Sequence, residues 1–205
     1  MDALFVFALL AFGIMVVPGM DMAFVLSSAL AHGRRAGFAA VAGMVSGGAV
    51  HVLMGTLGVG LLLQLFPAAF HAVLVAGAAY VAWIGWALWR SPATLGEAAV
   101  EASTQRTFLR AITTCLLNPK AYLFMVAVFP QFIRPERGSL LLQAVVLGAI
   151  IATAQALVYG AVALGASGLH ARLARRPNAQ VALGRSVAAL LILTATWTLA
   201  EAWGR

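Results

Sequence analysis

The stretch AGFAAVAGMVSGGAVHVLMGTLGVGLLLQLFPAAFHAVLVAGAAYVAWIGWALW, Ala36–Trp89, runs for 54 residues without one Asp, Glu, Lys or Arg. No water-facing surface is built from such a run, whereas about 20 apolar residues carry a helix across the hydrocarbon layer of a bilayer. The run is too long for one crossing. Pro67 divides it, because proline lacks the N–H that an interior helical turn requires. The reading is two spans, near residues 37–65 and 69–89.

Working outward, charges fall in clumps and the gaps between them mark further spans. Ala3–Met20 is uncharged, Asp21 interrupts, and the apolar pattern resumes to His32. Arg90–Arg110 is the most polar stretch and reads as a central loop. Ala111–Ile133 makes a fourth span interrupted only by Lys120, Ser139–Leu169 a fifth, and Ser186–Ala200 a sixth, extended backward with Arg185 reaching to the interface. The 205 residues are 63% hydrophobic and 9% charged, with a mean hydropathy of +0.98. Soluble domains carry about 25% charged residues, so the solvent for most of this surface must be lipid. The expectation is an all-α membrane protein of six transmembrane helices, one transmembrane domain over 1–205 with no room for a soluble one. Asp2 in place of a basic segment, and Pro18-Gly19-Met20 in place of a cleavage site, mark a retained first helix and not a secretory signal.

Orientation follows from the basic residues, which gather in cytoplasmic loops. Nine lie after spans one, three and five (Arg34, Arg35, Arg90, Arg106, Arg110, Arg172, Arg175, Arg176, Arg185), against Arg134, Arg137 and Arg205 on the other side. Both termini are therefore expected outside the cytoplasm. The same loops account for the net charge of +7, and no basic tract interleaves with aromatics as a nucleic-acid surface would.

Pro18 and Pro119 lie 101 residues apart, as do Gly47 and Gly148. Each half holds three spans, an odd number, so the second half enters the membrane upside down relative to the first. The expected plan is two inverted three-helix repeats, about 1–90 and about 109–205, joined by a cytoplasmic loop of about 91–108, with helices one and four broken.

The chemistry gathers at the breaks. Pro18-Gly19 interrupts the first span beside Asp21, and Asn118-Pro119-Lys120 interrupts the fourth in the corresponding position. Backbone groups freed there cannot face lipid and must line protein or a wet cavity, and a charge at that depth needs a cavity or a partner. The half-helix N-termini and Lys120 suit a carboxylate, and Asp21 suits an ammonium or a relayed proton. Both signs together suit a zwitterion such as an amino acid. The alternative is an Asp21–Lys120 pair that only neutralises itself. Gly43 and Gly47 form a close-packing pattern and Gly148 matches Gly47 in the second half, so all three read as helix-packing positions. His51, Gln155 and Tyr159 are candidate cavity polar groups, His51 reading more readily as a hydrogen-bonded packing residue. His32-Gly33-Arg34-Arg35-Ala36-Gly37 reads as a basic turn between spans one and two.

Other chemistries find little support. Cys115 is the only cysteine, which excludes an internal disulfide or dithiol redox pair. His32, His51, His71 and His170 are scattered, so no metal site or cofactor is expected. No His-Glu-x-x-His or Gly-x-Ser-x-Gly signature suggests an enzyme.

The sequence resembles the lysine exporter (LysE/RhtB-type) family of amino-acid efflux permeases from end to end. The resemblance rests on Pro18-Gly19, on the Gly33-Arg34-Arg35-Ala36-Gly37 turn with Gly43 and Gly47, on Gly77/Trp83/Gly85, and on Asn118-Pro119-Lys120 followed by Phe124 and Pro130-Gln131-Phe132. It implies a six-helix exporter of amino acids in the bacterial inner membrane, driven by the proton motive force and dimeric. The family pattern Pro-Gly-Pro has Met20 in place of its second proline here, which bears on the pocket beside the break. The expected function is amino-acid export with a neutral side chain preferred; export of another small solute or a metal ion, or a non-redox membrane enzyme, are the alternatives.

Overall fold

The computed structural model describes residues 3–58, 67–90, 104–134, 136, 138–173 and 177–203, and among them the chain forms helices and no strand. In order these are α1 (Ala3–Val16), α2 (Met20–Thr56), α3 (Pro67–Arg90), α4 (Thr104–Leu116), α5 (Pro119–Ala127), a 3-10 turn (Phe129–Phe132), α6 (Leu140–Leu173) and α7 (Pro177–Trp203). Within this set Met20–Thr56 and Leu140–Leu169 are each long and apolar enough to cross a membrane. Thr104–Leu116 and Pro119–Phe132, bent by 55° at their junction, meet the same criterion as a pair. Leu141, Leu142, Leu157, Leu193 and Trp197 are all exposed by more than 60% on α6 and α7, an apolar outer surface that suits lipid and not water.

Several boundaries differ from the sequence reading. The basic turn expected at 32–37 is present but compressed to one residue: Gly33, at φ 74, ψ −165, separates two helices that fold back on each other, a Cβ on Gly37 lying 2.9 Å from the Ala29 Cβ. Only glycine enters that region readily, so one residue makes the turn between the two limbs of α2. The second limb of α2 accordingly begins at residue 34 and ends at Thr56, well before 65. There the Leu57 amide still bonds the Leu53 carbonyl at 3.0 Å, and Gly58 turns the chain at φ 79. Hydropathy could not reveal this end, because the apolar run continues past it. At the central loop, residues 104–108 are helical and belong to α4, while 91–103 lie outside the described residues. Gly60, Arg137, Arg175, Arg176 and Arg205 also lie outside them.

The second limb of α2 is the axis of the bundle, with α4 along one side and α6 along another, while α3 packs on α7. Small residues set these distances. A Cβ on Gly43 would lie 2.5 Å from the Phe108 carbonyl oxygen and 2.6 Å from the Ala111 Cβ, and one on Gly47 would lie 2.7 Å from the Cys115 Cβ. α4 answers with Thr107, Ala111, Thr114 and Cys115, buried at helical spacing on one face. Gly148 on α6 packs less tightly, with Val52 at 3.4 Å from a notional Cβ. Gly77 brings α3 against the Leu117 carbonyl, leaving no space for any side chain.

Two apolar clusters result. One gathers Met20, Phe24, Met44, Cys115, Tyr159 and Leu191; the other gathers Phe7, Phe124, Phe129, Leu147 and Ile151, with the Phe7 ring 5.0 Å from Phe132 and 5.7 Å from Phe124.

A methyl group at Gly77 must displace backbone, whereas one at Gly165 meets nothing within 4 Å. Gly77→Ala is expected to lower stability by about 1–3 kcal/mol through overpacking. Gly165→Ala is expected to be neutral or stabilising by up to about 1 kcal/mol through helix propensity. Thermal unfolding of the two variants in detergent checks the contrast.

Candidate functional site

In a helix each N–H donates to the carbonyl four residues back. Pro18 has no N–H, so the Ile14 carbonyl loses its donor; the break that follows also frees the carbonyl of Val17. Lys120 supplies both, its Nζ donating to Ile14 O at 3.2 Å and Val17 O at 2.9 Å. Gly19, extended at φ −170, lets the ammonium come close: a Cβ there would lie 3.1 Å from Nζ. The cation also sits at the C-terminal, negative end of the α1 dipole.

The second break repeats the problem. Pro119 leaves the Cys115 carbonyl without its helical donor, and His51 Nε2 lies 2.9 Å from that oxygen. The Asn118 amide also reaches it at 3.1 Å. Asn118 then starts α5 as its N-cap, its Oδ1 accepting from the Lys120 amide at 3.0 Å. His51 is held edge-on against the Tyr122 ring, with centroids 4.7 Å apart. Each break is thus repaired by a side chain from the other half of the chain.

Between the two breaks lies a cavity of about 40 Å³. Its walls draw on both apolar clusters and on a polar set of Asp21, His51, Asn118, Lys120, Gln155 and Tyr159. α6 contributes Ile151, Gln155 and Tyr159 at a spacing of four, which places them on one helical face. Asp21 comes from the first turn of α2, where a carboxylate complements the helix dipole. It is 4% exposed and accepts from Tyr159 Oη at 3.4 Å through Oδ2. Lys120 shares the cavity with Asp21, but its ammonium is hydrogen-bonded to the α1 carbonyls and not to this carboxylate. Gln155 lies over Gly48, whose missing Cβ makes room for the amide, and donates from Nε2 to Met44 O at 3.3 Å.

Four buried side-chain atoms in this set have no hydrogen-bond partner: Asp21 Oδ1, His51 Nδ1, Asn118 Nδ2 and Gln155 Oε1. Their residues all line the one cavity. Unsatisfied buried polar groups are uncommon and costly, so a cluster of four makes this cavity the candidate site.

The candidate residues do not all converge. Pro18 and Gly19 line an outward-facing apolar groove of about 720 Å³ against α7, with Leu193 and Trp197, and not the polar cavity. Gly43, Gly47 and Gly148 pack helices together away from it. Cys115 and Gly48 line the cavity without having been singled out as site residues, Cys115 donating its thiol to Met44 O at 3.6 Å. The spacing Gly48, Gln155 carries no motif, and only the fold brings them together. Among the described residues no group of three or more His, Cys, Asp or Glu could hold a metal ion.

Comparison with known proteins places the chain in context. The family model "LysE type translocator" matches residues 12–201. A homoserine/homoserine lactone efflux protein of Salmonella typhi is 32% identical over 178 residues, covering 86% of this chain and 85% of that protein. A leucine efflux protein of Klebsiella pneumoniae is 37% identical over 123 residues, 58% of each chain. An uncharacterized membrane protein of Vibrio cholerae is 35% identical over 166 residues, 80% of each. No solved structure matches. With the family model spanning nearly the whole length, the chain belongs to the LysE type translocator family.

Proposed function

We propose that this protein is a secondary transporter that exports amino acids across the bacterial inner membrane, driven by the proton motive force. The cluster of unpartnered polar atoms on a cavity between two broken helices carries this reading. The relatives named as efflux proteins for leucine and for homoserine and its lactone support the substrate class. Six spans arranged as two inverted repeats, with both termini outside, give this arrangement its membrane context. The apolar part of the wall, including Ile14, Met15, Phe124 and Met125, favours a neutral side chain.

In this scheme Asp21 meets the substrate ammonium. The first turn of α2 has no side-chain cap, so its free N–H groups are available to the carboxylate. Lys120 adds positive potential beside them, and any direct bond from Lys120 to a carboxylate requires it to release the Ile14 and Val17 carbonyls. A cavity of about 40 Å³ holds about three water-sized groups. Loading a whole amino acid therefore requires the walls to part, as alternating access demands.

Two outcomes are expected. In proteoliposomes, counterflow against an amino-acid panel exchanges neutral amino acids in preference to lysine and arginine, and an imposed pH gradient accelerates efflux; a panel without exchange removes the reading. Asp21→Asn lowers the transport rate at least about tenfold, since it removes a charge-assisted contact to the ammonium. Unchanged transport by a folded Asp21→Asn protein at every pH takes Asp21 out of the mechanism.

A further inference from the structure

The four unpartnered atoms differ in kind, and the bond at the other end of each side chain fixes which kind it is. Asp21 Oδ2 accepts from the Tyr159 hydroxyl, so Oδ1 remains as an acceptor. A carbonyl can only accept, so the His51 proton sits on Nε2, facing Cys115 O, and Nδ1 presents a lone pair. Gln155 must place its NH2 toward Met44 O, which leaves Oε1 as the free end. Asn118 must place Oδ1 toward the Lys120 amide, which turns its NH2 to the cavity beside Asp21. The cavity therefore offers three unused acceptors, one of them on a carboxylate, and one unused donor. All four residues are at least 96% buried.

A carboxylate carries acceptors only and could use one of these four atoms. A primary ammonium carries three N–H donors and no acceptor, and its buried charge needs a counter-charge close by. We infer that Asp21 Oδ1, His51 Nδ1 and Gln155 Oε1 form a receptor for a primary ammonium group, so that the amine and not the carboxylate is the anchor by which substrate is recognised. This rests on the proposal that the cavity is the transport site. The protein's own ammonium does not take the place, because Lys120 Nζ is bonded to Ile14 O and Val17 O. A hard metal cation prefers an all-oxygen shell, and the imidazole nitrogen in the set argues against one. The single donor, Asn118 Nδ2, suits a carbonyl oxygen of an acid, an amide or an ester equally well.

The experiment measures the thermal unfolding of the detergent-solubilised protein against rising concentrations of three compounds for each neutral amino acid and homoserine. These are the amino acid, its carboxamide and its N-acetyl derivative. Ligands that bind the folded state raise Tm by mass action. The amino acid is expected to raise Tm by several degrees, the carboxamide to match it within about tenfold in concentration, and the N-acetyl compound to need about 100-fold more or to have no effect. Gln155→Met, which removes one acceptor, is expected to weaken the amino acid and its carboxamide alike by about tenfold, with the Tm of the ligand-free protein as the check on folding. If N-acetyl compounds shift Tm while carboxamides do not, the ammonium receptor is wrong and the export reading survives. If no compound of any series shifts Tm, the cavity is not a binding site and both readings fall.

Discussion

Two carbonyl oxygens govern this molecule. Proline at 18 and at 119 strips the Ile14 and Cys115 carbonyls of their helical donors in an environment where water cannot replace them. An unpaired backbone group in that setting costs several kcal/mol, so each break is stabilised by a donor delivered from elsewhere. Lys120, in the second half of the chain, serves the first break, and His51, in the first half, serves the second. The first interruption draws its donor wholly from the opposite half, while at the second His51 adds to the local Asn118 amide. The two halves are therefore interlocked at the point where each is weakest, which is also where the cavity lies.

The cavity is a by-product of the same constraint. A helix that stops and restarts turns its ends inward, and here those ends bring Asp21, Asn118 and the Cys115 region to one cavity. Because α4 is held tightly on α2 through Gly43 and Gly47, the broken helix of the second half cannot drift away from His51. α6 closes the remaining side with Gln155 and Tyr159, one turn apart. The polar residues are thus placed by backbone and by packing, with little freedom left to their side chains.

Much of this could be read from the sequence, for definite reasons. The helical class and the lipid-facing surface follow from a charge content too low for water. Both breaks are legible because proline's missing N–H acts locally, at the residue itself. The repair of those breaks was not legible, since it links residues more than 60 and more than 100 positions apart, as in His51 to Cys115 O and Lys120 to Ile14 O. The end of α2 at Thr56 was hidden inside a continuous apolar run. The Gly33-Arg34-Arg35 stretch was legible as a turn, since a glycine followed by charges reads as one; hidden was only how short it is, a single positive-φ residue between two helices. Gly48 gave no signal at all, because its role is to leave room for a side chain from α6.

That single bend has a mechanical meaning. Residues 20–32 carry Asp21 and residues 34–56 carry Gly48 and His51, so two facing walls of the chamber are two helices folded back on each other at Gly33. At 1.5 Å per residue the arms reach about 18 Å and about 27 Å from the joint to Asp21 and His51. A rotation of about 10° at that one residue swings either tip by about 3–5 Å while every hydrogen bond within each arm stays intact. The aperture of the chamber can thus be set from a position far outside it, by the one residue of α2 whose backbone already leaves helical geometry.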